Sequence, residues 1–107
     1  MPEIPRAAAR YPDRGEGHLR QGGVPTEGGS KLCLGRTPFA DARTVQLLKE
    51  AGAIVLGKLT TWEFAIGGTA FDTPFRPARN PWNTAHDPAG SSSGSGAAIA
   101  AGLSFLA

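Results

Sequence analysis

Cysteine is almost missing from this chain: Cys33 is the only one in 107 residues, which excludes an intrachain disulfide. With His18 and His86 it forms no metal-ligand spacing, and a lone thiol between Leu32 and Leu34 reads as a packing residue. Long apolar runs are missing as well. No stretch approaches the ~20 residues needed to span a bilayer, and the amino-terminal region carries no signal-peptide apolar segment, so a soluble, cytoplasmic product is expected. An excess of one charge is also lacking. Eleven Lys and Arg stand against nine Asp and Glu, for a net charge of +2. They are spread without a basic block, which gives no electrostatic footprint for nucleic acid. No internal repeat is visible.

What the chain does have is 15 Gly and 9 Pro, the composition of a loop-rich protein, and a length that allows one domain with a modest core. Met1 to Gln21 holds four arginines, no hydrophobic period and few apolar residues, which is the composition of disorder. From Gly23 onward the pattern is that of ordered protein. Val24 to Lys31 is a Pro/Gly turn region. A helix starts either at Thr37-Pro38, with Pro at the first helical position, or after Asp41 as N-cap. Its apolar stripe is Ala42, Val45, Leu48 and Ala51, and Gly52 closes it. Ala53 to Leu56 (AIVL) then reads as a strand buried on both faces. Helix followed by strand implies an α/β layer. Thr60 and Glu63 have the spacing of a capping box for a short helix that places Trp62 and Phe64 in the core. Gly67 to Asp87 is a long connection with turns at Asn80-Pro81 and Asp87-Pro88; Phe71, Phe75 and Trp82 are its expected anchors, and His86 is a solvated loop residue.

The richest stretch is Ala89 to Gly102, AGSSSGSGAAIAAG. Ser91, Ser92 and Ser93 stand between Gly90 and Gly94, where the backbone can bend sharply and crowd hydroxyls with amide N–H groups. The AAIAA run favours a helix over Ala97 to Gly102, whose N-terminal N–H donors suit an anion or a developing oxyanion. Composition alone leaves a flexible linker open. A phosphate-cradling loop would need a Gly-Lys-Ser/Thr ending, which is missing.

GSSSGSGAAIAAG resembles the serine-glycine signature of the amidase signature family, which includes amidases and the A subunits of aminoacyl-tRNA amidotransferases. Upstream, RTPFADARTVQLLKEAGAIVLGKLTTWEFAIGG and RNPW (Arg79 to Trp82) follow the same family's order and spacing, so the resemblance covers Gly23 to Ala107. It implies a partial α/β core: helix, strand, short helix, Ser/Gly loop and helix, on an incomplete mixed sheet. The implied reaction is hydrolysis of carboxylic amide C–N bonds in small-molecule substrates by a Ser/cis-Ser/Lys triad, without cofactor or metal. Serine is a weak nucleophile at its own pKa and needs a base, which a lysine made neutral by burial can supply. By motif position Ser91 matches the relay cis-serine, with Gly90, Ser92, Ser93 and Gly94 as loop support on the oxyanion side.

Two parts of that pattern are not found. The family's nucleophile belongs to a TDxGGS-like loop beyond the serine-glycine stretch, and its lysine to a strand resembling GIPxAVKD, at whose place stands Glu16. Lys58, in a separate GK stretch of the family, is read as structural or at the edge of the site. Read one base downstream, the degenerate codons of Tyr11 to Arg20 permit Ile, Pro, Ile, Ala, Val, Lys, Asp, Ile, Phe, Asp, which is that strand. A small indel near Gln21 to Gly23 is therefore expected, with residues 1–22 a frameshifted or disordered segment and 23–107 a partial domain. The resemblance further implies that the polypeptide is inactive alone. Two alternatives stay open: a non-catalytic interaction fragment docking on a partner or complementing chain, and an enzyme assembled in trans from split polypeptides; a complementing chain or a homo-oligomer is the partner expected. The Ser91 peptide bond is expected to relax to trans, because much of the structure that would hold it cis is not in this chain.

Overall fold

A computed structural model describes residues 19–104 and 107. The expectation of disorder or a shifted frame before Gly23 falls mostly outside those residues. What is described of that stretch is tied to the rest of the chain: Arg20 O accepts from Ala42 N–H at 2.7 Å, and Gly22 N–H donates to Asp41 Oδ1 at 2.7 Å.

Two α-helices are present among the described residues, Arg43–Glu50 (α1) and Ser93–Ala100 (α2), with 3-10 turns at Lys31–Cys33 and Glu63–Ala65. Neither expected N-cap starts α1. Its cap is Ala42, without a side-chain bond, because the Asp41 carboxylate is already occupied by Gly22 N–H and by Lys49 Nζ, both at 2.7 Å. Gly52 ends the helix as expected. At φ +86° it donates to Lys49 O while Ala53 N–H donates to Leu48 O, both at 2.9 Å, the paired closure that only a left-handed residue makes easily. Gly102 repeats this at the end of α2, donating to Ile99 O at φ +68° while Leu103 N–H donates to Ala98 O.

The expected strand is not formed. Among the described residues there is no strand at all, and the AIVL run leaves Ile54 84% and Leu56 80% exposed. A strand exists only through the ladder it shares with a neighbour, and no described segment pairs with residues 53–56. The incomplete mixed sheet is thus unformed here. The same lack of cover thins the rest of the core. Of the α1 stripe only Val45 is buried, joined by Phe75 and Ala98.

The most enclosed segment is polar. All of Thr26 to Ser30 is buried, with Thr26 at 2% and Ser30 at 0% exposure. Buried polar groups need partners, and these have them. Ser30 Oγ caps the first 3-10 turn by accepting from Leu32 N–H, and Glu27 Oε1 accepts from Gly35 N–H at 2.6 Å. Thr26 Oγ1 receives Lys58 Nζ at 2.6 Å.

In the long connection Phe75 is the one aromatic anchor. Phe71 and Trp82 are exposed instead, Phe71 lying under the Arg79 guanidinium at 5.7 Å. Asn80 and Asn83 build the expected turn by accepting from Trp82 and Ala85 N–H. Likewise Asp87 Oδ1 accepts from Ala89 N–H at 2.6 Å.

Candidate functional site

The serine stretch is held by the segment that the capping-box spacing had assigned to a helix start. Thr60 and Glu63 form no capping box: the turn at Glu63–Ala65 is a single 3-10 turn whose N-cap is Trp62, without a side-chain bond. Thr60, Thr61 and Trp62 are turned toward residues 90–94 instead. Thr60 O accepts from Gly94 N–H at 2.9 Å. Thr61 Oγ1 and Trp62 N–H both donate to Ser91 O, at 2.9 and 3.0 Å.

Both flanking glycines are required by close approach. A Cβ on Gly94 would meet Thr60 N at 2.6 Å and Thr60 O at 2.7 Å, and one on Gly90 would meet the Trp62 ring at 2.5 Å. Composition would assign these glycines to flexibility; here they let two backbones touch. The linker alternative is thereby overturned, since residues 90–94 are pinned at three positions. Trp62 is half-buried, with its indole Nε1 enclosed and unpartnered. Phe64 is exposed, not in the core.

The Gly90–Ser91 peptide bond is cis, correcting the expectation of trans: the contacts on either side of it, from Trp62 and Thr61, lie within this chain. Ser91 is half-buried, Ser92 is exposed as the N-cap of α2, and Ser93 is buried. Helix α2 starts at Ser93, four residues earlier than the AAIAA run predicts, and so takes in Ser93, Gly94, Ser95 and Gly96. Its start is only partly available to an anion, because Gly94 N–H, one of the first-turn donors, is already bonded to Thr60 O.

Lys58 donates to Thr26 Oγ1, in line with a structural reading. His86 is exposed and takes part through its backbone, donating to Asn83 O and accepting from Asn80 N–H. No group of three His, Cys, Asp or Glu among the described residues is arranged to hold a metal ion, and no described helix is long and apolar enough to cross a membrane. Sequence reasoning missed Thr61 and Trp62 as partners of Ser91. No local signal could have found them, since the contacts join residues 30 and 29 apart.

The sequence profile described as Amidase matches residues 18–107. The glutamyl-tRNA(Gln) amidotransferase A subunit of Nitratidesulfovibrio vulgaris (strain DP4) is 49% identical over 87 residues, covering 81% of this chain and 18% of the relative. That of Exiguobacterium sibiricum is 51% identical over 80 residues, covering 75% and 17%. Among solved structures, a component of a vestigial protein complex bearing on the origins of an s-triazine catabolic enzyme matches with a TM-score of 0.73 and 42% identity, over 91% of this chain and 23% of that one. The glutamyl-tRNA(Gln) amidotransferase A subunit of Thermotoga maritima matches with a TM-score of 0.71 and 37% identity, over 78% and 19%. This chain thus spans under a quarter of the length of these relatives.

Proposed function

The chain belongs to the amidase family, and on that premise we propose that it supplies the relay-serine portion of an amide C–N hydrolase, with Ser91 as the relay. The observation that carries this reading is the hold on Ser91. Two donors converge on its carbonyl, and a glycine is gripped on each side of it, so the residue that the family motif singles out is also the one this chain immobilises. In such a triad the relay hydroxyl passes the nucleophile's proton to a neutral lysine. Gly90, Ser92, Ser93 and Gly94 shape the loop around it. In this reading the nucleophile and the VKD-type lysine come from outside this polypeptide, which by itself is then expected to hydrolyse no aliphatic, aromatic or glutamine amide above a Ser91→Ala control.

The positive test is a graft. Residues 18–107 replace the matching segment of the 49% identical amidotransferase relative, and amide hydrolysis is measured. Activity that falls by about 10⁴-fold in Ser91→Ala, as for loss of a triad member, supports the reading. A folded graft with no activity, or one indifferent to Ser91→Ala, overturns it.

A second reading, a non-catalytic interaction fragment, is favoured by the bare AIVL run, whose Ile54 and Leu56 face solvent. Its partner would bring a strand edge and an apolar face. Mixed with such a companion chain, the polypeptide should form a complex that Ile54→Lys with Leu56→Lys abolishes. A complex insensitive to both changes counts against this surface.

A further inference from the structure

We infer that Thr61 is a positioning residue for Ser91, fixing the orientation of the relay serine through a second hydrogen bond to its carbonyl. The inference rests on the reading of Ser91 as the relay. One donor gives a carbonyl the partner it needs, and Trp62 N–H at 3.0 Å already provides it for the half-buried Ser91. Thr61 Oγ1 at 2.9 Å therefore adds direction, by occupying the oxygen's other lone pair. Two donors on one oxygen fix the plane of the Ser91–Ser92 peptide, and with it the ψ angle of Ser91.

The neighbours of Thr61 make this orientation stiff. Thr60, on one side, takes Gly94 N–H through its carbonyl, and the Trp62 ring, on the other, lies against Gly90. Thr61 is the middle of a three-residue clamp whose outer members grip the two glycines flanking the serines, and the only member that bonds through its side chain. A β-branched residue suits the task, because its χ1 is already restricted and the hydroxyl is aimed at little entropic cost. A proton relay depends on such aim, since catalytic groups tolerate only about 0.5 Å of displacement.

The contact is read directly by NMR on the full 107-residue chain labelled with ¹³C and ¹⁵N. Thr61→Val, which keeps the shape and removes the donor, should move the Ser91 carbonyl ¹³C and the Ser92 amide ¹⁵N upfield while the Trp62 amide proton stays hydrogen-bonded. Thr61→Ser should bring both resonances back. Shifts indifferent to Val, a Val effect that Ser does not reverse, or wild-type values already those of an unstructured chain would each overturn the inference. In the grafted enzyme, Thr61→Val should lower kcat by up to about 100-fold, with KM unchanged and Thr61→Ser restoring it. An active graft that loses activity in Ser91→Ala but not in Thr61→Val refutes the role of Thr61 alone. An inactive graft instead refutes the relay reading and the positioning role with it, whatever the spectra show.

Discussion

Residues 53–56 and 60–62 are separated by three residues, yet one is bare and the other is clamped. The AIVL run has the composition of a buried strand and exposes Ile54 and Leu56; Thr60 to Trp62 has no such apolar character and holds the serine loop by backbone bonds, a hydroxyl and a packed ring. The difference lies in where the partner is. The clamp finds residues 90–94 within the same chain, whereas no described segment pairs with the run. Apolar content is a demand for cover, and only a neighbouring surface meets it.

The sharpest way to break this comparison is at Gly94. Gly94→Ala gains up to about 1 kcal/mol of helix propensity but drives a Cβ to 2.6 Å from the Thr60 backbone, an overpacking cost of up to about 3 kcal/mol. The net expectation is a loss of about 2 kcal/mol in denaturant unfolding. A stabilised variant would mean that the helix start and residue 60 are not in contact.

Gly90→Ala should cost less, about 1 kcal/mol, because its clash at 2.5 Å is with the Trp62 ring and a side chain can shift further than a backbone. Combining Gly90→Ala with Trp62→Ala should give less than the sum of the two losses, as residues in contact do. Strict additivity in that cycle would separate the ring from the loop.

Asp41 offers a milder probe, at contacts that involve no residue of the clamp. Lys49 Nζ, and then the Gly22 N–H, hold its carboxyl below the usual aspartate range. A depressed folded-state pKa stabilises the fold above the unfolded-state value, and that contribution disappears as pH falls through the folded one. The stability difference between wild type and Asp41→Asn should accordingly be constant near neutrality and shrink below about pH 4. A difference that grows on acidification would contradict the Gly22 and Lys49 contacts. Smallest of all should be Ile54→Lys and Leu56→Lys in the isolated polypeptide, within about 0.5 kcal/mol, since both side chains already face water. A loss above 2 kcal/mol in either would show that the run is covered after all.

Local signals carried the elements that close on themselves. Gly52 was legible as a helix end because a left-handed glycine after an apolar stripe has few other uses, and the Asn80 and Asp87 turns because Asx side chains bond their own backbone. Helix starts were harder to read. Asp41 has the chemistry of an N-cap and is drawn instead to Gly22 and Lys49, while the Thr60 and Glu63 spacing of a capping box belongs to a segment whose Thr60 and Thr61 serve Gly94 and Ser91. In each case a partner distant in the chain outcompeted a local rule.

By itself the sequence determined the family, the order of helix, apolar run, turn and serine-glycine helix, and the serine on which the proposed chemistry rests, because each is written in residue type and spacing along the chain. Tertiary structure alone decided that Gly90 and Gly94 serve close approach rather than flexibility, that Thr61 and Trp62 bond to Ser91, and that the AIVL run does not become a strand. The physical reason is the same for all three. Each depends on which surface lies within hydrogen-bond or van der Waals reach, and chain spacing does not encode that distance.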